Sequence, residues 1–391
     1  MRFPLSWLKT WVDLPSDFSE LARILMHAGI GLETVEDPGA ALKQVVVARV
    51  QQRRPHPNAD RLSLCVVSDG SRDYAIVCGA PNVAEGLSVP LAKEGAELPG
   101  GFKIKKSKIR GCESEGMLCS ATELALPETP GVDGLLVLDP GLPLGTPMAQ
   151  ALGLDDVVLT LETTANRPDH LSLRGLAREV AALGGLKLKD PTRPLVEAVG
   201  SSPTRPLAVT VQPEACSYYS ARRIQGVTIG PSPDWLRAFL EKSGIRPISN
   251  VVDATNCVLL EYGQPMHAFD AAHLGSRLEA RLARPNEHIQ TLDGQERTLE
   301  PDDCVVSDEH GPQALAGVMG GKSSEVTEGA TDIVLEAAVF PAKRVRRTVR
   351  RLGLPSESSR RFERGVDPLA VDEAMDRCAS LILELAGGRL D

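Results

Sequence analysis

The sequence predicts a multidomain α+β protein, and three changes of texture along its 391 residues carry that prediction. Helix signals come first, a long series of short β runs follows, and past a proline-rich stretch helices and strands are mixed. This length corresponds to two to four domains, and 42% apolar residues are enough for ordinary cores.

The first helix is signalled by Asp17 with Glu20 three residues on, by the stripe Leu21, Ile24, Leu25 and Ala28, and by Gly29 at its end. From Val45 the runs VVVARV, LSLCVVSD, DYAIVC, SVPLA, GMLC and LLVLD follow, broken by Gly, Pro, Asn and Asp. They predict a small barrel or sandwich of roughly a hundred residues. A helix returns at Ser172, with Leu173, Leu176, Ala177, Val180 and Leu183, and stops at Gly184-Gly185. The prolines that follow mark a linker. Ser232-Pro233 predicts a helix with a serine cap and proline in its first position, Leu236, Phe239 and Leu240 inward, and Gly244 at its end. Strands are expected at 278–282, 304–307 and 333–335. A helix with Val345, Val349 and Leu352 on one side carries most of the arginines, and Asp367-Pro368 is expected to open a last helix closed by Gly387-Gly388.

No apolar run approaches the roughly 18 residues of a membrane span, and MRFPLSWLKTWVDLP lacks the apolar core and cleavage site of a signal peptide. Eight scattered cysteines without a Cys-x-x-Cys pair argue against a disulfide framework or zinc ribbon and fit a reducing cytosol. The net charge of −9 speaks against nucleic acid, but its distribution does not. Lys103, Lys105, Lys106, Lys108 and Arg110 form one basic cluster, and a second, with Arg347 and Arg351, runs from Lys343 to Arg364. Each is either a phosphate footprint or a solvated face.

Ala316-Gly-Val-Met-Gly-Gly-Lys322-Ser323 fits a relaxed phosphate-loop pattern, yet the continuation SEVTEGATD is not a helix whose N-terminus would hold phosphates. A glycine-rich turn where backbone comes close to another group is the better reading. His267, in GQPMHAFD, is open to a structural or a catalytic role. The histidines show no i, i+4 pairing, so no metal site is expected. Glu336, in IVLEAAVF, is a carboxylate in an apolar strand, which is costly to bury unless paired or hydrogen-bonded. It is either the polar end of an edge strand or a functional acid.

Together these segments resemble one family. HPNADRL (56–62), VCGAPN (77–82), and IRG with GMLCS (109–120) resemble the tRNA-binding OB fold appended to several synthetases. TANRPDHLSLRGLARE (164–179), RPISNVVDATN (246–256), GQPMHAFD (263–270), TLDG (291–294), ALAGVMGG (314–321) and RFERGVDP (361–368) resemble the β subunit of bacterial phenylalanyl-tRNA synthetases. The resemblance implies an OB-fold β-barrel at 40–150, inserted into a small α/β module at 1–39 and 151–190. It implies a linker at 191–205, and at 206–391 a mixed α+β editing module that removes tyrosine misattached to tRNA-Phe.

The site residues it implies are His267, Asn256, Thr255, Gly317 and Ala316 for ester and water positioning. Glu336, Ala338, Pro265, Arg246, Ser356 and Ser358 are implied around the substrate, with Glu336 as acceptor for the tyrosine hydroxyl. The family pattern reads Thr-Glu-Ala-Ser where this chain has Ser356-Glu357-Ser358-Ser359, so Ser358 adds a hydroxyl to the pocket. The implied partners are tRNA-Phe and an α subunit in an α2β2 assembly in the cytoplasm. No cofactor is expected on this chain. ATP and magnesium serve aminoacylation in the complete α–β enzyme, and the family extends well past position 391. Two other readings stay open, a free-standing tRNA-binding module and a trans-editing hydrolase.

Overall fold

The computed structural model describes residues 1–127, 133–192, 195 and 207–391. The expected linker at 191–205 lies almost wholly outside the described residues. The chain forms two compact units, one of residues Glu36–Val157 and one of Met1–Val35 with Val158–Asp391. Among the described residues no helix is long and apolar enough to cross a membrane.

The smaller unit is a five-stranded, nearly closed barrel. Val45–His56 pairs antiparallel with both Ala59–Ser68 and Ser88–Lys93, Asp73–Cys78 adds to the former, and Gly116–Leu118 to the latter. The two outer strands then approach each other, Glu115 donating its N–H to Ala75 O at 2.9 Å and Val77 its N–H to Ser114 Oγ at 3.1 Å. First strand to second and fourth, fifth to fourth and third is the OB connectivity. VVVARV is apolar without alternation because both faces are covered. Val46, Ala48 and Val50 enter one core with Val67, Ile76 and Leu91, while Val45 and Val47 enter another with Leu98, Ile104 and Met148. LLVLD, expected as a strand, belongs to no ladder. It is held singly, by Leu136 N–H to Cys119 O and Leu138 N–H to Ser88 O.

In the larger unit, Val158–Glu162 is the middle strand of a sheet between Arg2–Pro4 and Gly31–Glu36. The chain therefore leaves this small α/β module, makes the barrel, and returns to the module's centre. Asp17 caps the Phe18–His27 helix through Ser19 N–H at 2.9 Å, and Ser172 caps Leu173–Gly184 through Gly175 N–H at 3.0 Å.

Two further sheets enclose a hydrophobic core in this unit. One runs Met266–Asp270, Asp332–Val339, Tyr218–Gln225, Arg389–Leu390; the other is built on Arg277–Leu282, Cys304–Asp308 and Gly311–Leu315. Two helix starts differ from expectation. Pro233 itself is the cap of Asp234–Lys242, because the Ser232 hydroxyl instead donates to Asp253 Oδ2 at 2.6 Å. The last helix spans Val371–Ala386, since residues 367–370 form a turn closed by Ala370 N–H on Asp367 O. All eight cysteines are free.

Candidate functional site

Asp332–Val339 is the interior strand that brings the site together. His267 stands opposite Glu336 in the antiparallel register with Met266–Asp270, and Ala221 stands opposite Glu336 on its other side. Glu336 is thus in the middle of a sheet, not at the polar end of an edge strand. It is 6% exposed, and no cation pairs with it among the described residues. Its Oε2 accepts the Tyr219 phenol at 2.8 Å, and burial pushes its carboxyl up to about 7 against the opposing effect of that bond. Burial likewise pushes the Tyr219 phenol well above its ordinary range.

His267 is half-buried, its ring edge-on to Phe269 at 4.4 Å. Its Nε2 is shut off from solvent and has no hydrogen-bond partner among the described residues, and burial lowers the imidazole to about 4. At neutral pH the ring is uncharged, with one desolvated nitrogen left without a partner. Gly320 makes room for it. A β-carbon at that position would lie 2.8 Å from His267 Nε2 and closer still to Cε1. The glycine-rich run is therefore a close-approach turn, and no helix follows it.

The same turn is bound to the Glu357–Phe362 helix. Ser356 caps that helix, accepting Ser359 N–H at 3.0 Å, and donates to Val318 O at 3.1 Å. The Ser358 hydroxyl lies 3.4 Å from Gly317 O. Gln264 Nε2 donates to both Pro265 O and Ala338 O at 3.0 Å, which ties those two positions together. So His267, Glu336, Ala338, Pro265, Gly317, Ser356 and Ser358 form one connected group.

Other expected members stand differently. The Ala316 amide is not available as an oxyanion donor, because it is spent on Cys304 O at 2.9 Å. Thr255 and Asn256 lie on the Asn250–Tyr262 helix, where the Thr255 hydroxyl turns back onto Val252 O at 2.6 Å. Arg246 is exposed on the loop before that helix. No described hydrogen bond joins these three to His267 or Glu336. Sequence reasoning missed Tyr219 and Gln264, whose roles depend on strand register, and Gly320, whose signal was the glycine run itself.

The arginine helix, Ala342–Leu352, is neutralised in part, since Lys343, Arg346 and Arg350 are exposed with no ion pair among the described residues. Arg344 pairs with Asp302 at 2.8 Å, Arg347 also pairs with Asp302, and Arg351 pairs with the buried Asp303 and with Glu300. Arg347 and Arg351 are thus structural ion-pair members as the molecule stands. On the barrel, Lys103 is bound to Glu97 at 3.3 Å and Lys106 to Glu113 at 3.0 Å, whereas Lys105, Lys108 and Arg110 are exposed with no ion pair among the described residues. Asp169, His170 and Glu179 gather closely enough to suggest a cation, a grouping the i, i+4 test missed. The Arg167 guanidinium already spans both carboxylates at 2.7 and 2.8 Å. One cleft lies on the barrel and another beside Arg360 and Arg364, and neither is lined by His267 or Glu336.

The family model for a putative tRNA binding domain matches residues 45–147, and that for a B3/4 domain matches residues 215–387. The phenylalanine–tRNA ligase β subunit of Anaeromyxobacter dehalogenans is 53% identical over 390 residues, covering 99% of this chain and 48% of that protein. That of Geobacter sulfurreducens is 50% identical over 385 residues, covering 98% and 48%. The chain spans about half the length of the curated relatives it matches. On these matches the chain belongs with the phenylalanine–tRNA ligase β subunits, to which it is homologous over nearly its whole length.

Proposed function

We propose that this chain binds tRNA-Phe through its barrel and carries the site that hydrolyses tyrosine misattached to that tRNA. Aminoacylation, with its ATP and magnesium, falls on this reading to an α subunit in an α2β2 assembly working in the cytoplasm. The observation that carries the reading is the state of Glu336. A carboxyl buried in mid-sheet, with no cation beside it among the described residues, already accepts one phenol and keeps a second oxygen with which to accept another.

That arrangement suits the problem. Phenylalanine and tyrosine differ by one hydroxyl, and an apolar pocket rejects an isostere with an added hydroxyl by only about 10². A site that hydrogen-bonds the hydroxyl discriminates by about 10⁴–10⁵, because the other substrate leaves a buried acceptor unpaired. The aminoacyl ester is already activated and needs mainly an oriented water and donors for the developing oxyanion. On this reading the unpartnered His267 Nε2 holds that water or the ester, once substrate binding opens the ring edge. No carboxylate orients its ring among the described residues, so positioning is the role assigned to it, not proton abstraction. Thr255, Asn256 and Arg246 are kept as substrate contacts only in the tRNA-bound state.

Glu336→Ala should slow hydrolysis of Tyr-tRNA-Phe by roughly 10- to 200-fold at subsaturating substrate, the value of one charge-assisted hydrogen bond. Hydrolysis of Phe-tRNA-Phe should not fall. His267→Ala should slow both esters in proportion, because a group at the ester does not sense the para position. The comparison is made in the α–β enzyme and repeated with the chain alone, where turnover without α identifies a trans-acting hydrolase. An equal drop on both esters for Glu336→Ala would falsify its selective role.

A further inference from the structure

Tyr219 stands near the start of the strand Tyr218–Gln225, directly across from Ala338 and so two positions along from Glu336 on the neighbouring strand. Side chains two apart on a strand share a face, which puts Tyr219, Ala221, Glu336 and Ala338 on one side of the sheet. Ala221, opposite Glu336, offers only a methyl group, and the tyrosine crosses the diagonal to place its hydroxyl on Oε2 at 2.8 Å. The strand end that carries it is firmly held. Ser217 N–H donates to Val339 O at 3.0 Å, Cys216 Sγ donates to Tyr218 O at 2.9 Å, and the Tyr218 phenol, on the other face, donates to Asp372 Oδ2 at 2.6 Å.

A buried phenol needs an acceptor, and a backbone carbonyl would serve. Tyr219 instead takes an oxygen of the one carboxyl on this face, which has no cation beside it among the described residues. The bond it makes there is the bond a substrate tyrosine would make, a phenol O–H on a carboxyl oxygen. Glu336 Oε1 has no hydrogen bond among the described residues, yet it is not sealed from solvent as His267 Nε2 is. The two oxygens are thus divided, one held by the protein's own tyrosine and one open.

We propose that Tyr219 is a positioning residue that sets how well the site tells tyrosine from phenylalanine, by holding Glu336 Oε2 so that Oε1 alone receives the substrate's phenol. The inference rests on the reading of Glu336 as the tyrosine acceptor, and adds the group that governs it. A hydroxyl that donates to a carboxylate stabilises the ionised form. Burial raises the Glu336 carboxyl to about 7 and the Tyr219 bond works against that rise, so this tyrosine keeps a share of Glu336 ionised at neutral pH. The ionised carboxylate is the stronger acceptor. The other titratable groups beside it are the Cys216 thiol, pushed up to about 11, and the cross-strand His267 imidazole, lowered to about 4, and both are neutral there. No charged group from the remaining elements bears on it among the described residues.

The test is Tyr219→Phe in the α–β enzyme, a change that removes one oxygen and keeps the ring. Hydrolysis of Tyr-tRNA-Phe and of Phe-tRNA-Phe is followed from about pH 5.5 to 8.5. Loss of one charge-assisted bond should move the rise in the tyrosyl-to-phenylalanyl ratio upward by about one pH unit. The ratio should then fall about fivefold at pH 7 and return to within about twofold of the parent at pH 8.5. A merely structural tyrosine gives no such recovery, because a distorted site stays distorted at any pH. In a Glu336→Gln background, which has no carboxyl to titrate, Tyr219→Phe should leave the pH dependence of the ratio unchanged. A profile that does not move, a loss equal at every pH, or the same displacement in the Glu336→Gln background overturns the inference, even where Glu336→Ala proves selective. If Glu336→Ala slows both esters equally, the reading of Glu336 as acceptor fails instead.

Discussion

A carboxylic acid enclosed in a core either finds a cation or holds its proton to higher pH, and Glu336 takes the second course. Its carboxyl, raised from 4.5 to about 7, favours folding most below pH 4.5, and that advantage is lost as pH rises through 7. Glu336→Gln keeps the shape and removes the titration. Relative to the parent, the variant should gain stability by up to about 3 kcal/mol between pH 4.5 and 8, since each tenfold change in proton affinity on folding is worth about 1.36 kcal/mol. Denaturant melts at a series of pH values measure this, and a difference independent of pH would contradict the assignment. His267 runs the other way. Lowered from 6.5 to about 4, its contribution is complete above 6.5 and lost as pH falls through 4. In catalysis the same titration makes Glu336 a better phenol acceptor as pH rises. The ratio of tyrosyl to phenylalanyl ester hydrolysis should therefore climb between pH 6 and 8, and a falling ratio would remove the carboxylate from the recognition step. Glu336 and His267 were visible in the sequence as single unusual residues. That they are cross-strand neighbours, and that Tyr219 occupies one carboxyl oxygen, was not, because register is set by pairing over a long separation in sequence.

Among the elements, the legible ones are those with one wet face. Phe18–His27, Leu173–Gly184 and Ala342–Leu352 each show a stripe and an end signal. The Asn250–Tyr262 helix is buried nearly all round, so its apolar residues trace no stripe and periodicity could not find it. The arginine helix shows the converse limit. Its charge was plain from sequence, but the acidic turn at 300–303 that pairs with Arg344, Arg347 and Arg351 lies some forty residues earlier. Asp302→Asn should release Arg344 and Arg347, strengthen nonspecific RNA binding and steepen its salt slope by about one. No change in slope would mean that these arginines remain out of reach of phosphate. The glycine turn offers a steric test. Gly320→Ala should displace the His267 ring and destabilise the fold by about 1–3 kcal/mol. Hydrolysis of both esters should fall with it, and unchanged activity would show that the ring position does not matter.

At the scale of the whole molecule, the outline was readable because domain texture survives even where register is hidden. The barrel announced itself by six closely spaced β runs, of which only LLVLD failed to join a ladder. The consequence of where that barrel is inserted is kinetic. The start of Gly31–Glu36 lies beside the end of Val158–Glu162, with a β-carbon on Gly31 placed 3.2 Å from Glu162 Cβ, so the chain leaves and re-enters the sheet at neighbouring points. While the barrel is unfolded, pairing those strands closes a loop of roughly 120 residues. Once it is folded with its ends together, the same pairing resembles closing a short hairpin, an entropic saving on the order of 3 kcal/mol. Barrel amides should accordingly gain protection from hydrogen exchange before those of 2–4, 31–36 and 158–162 in a pulse-labelled refolding experiment. A ribosome making this chain completes the guest before the host receives its central strand, so the host's assembly is timed by the folding of a domain with a separate core.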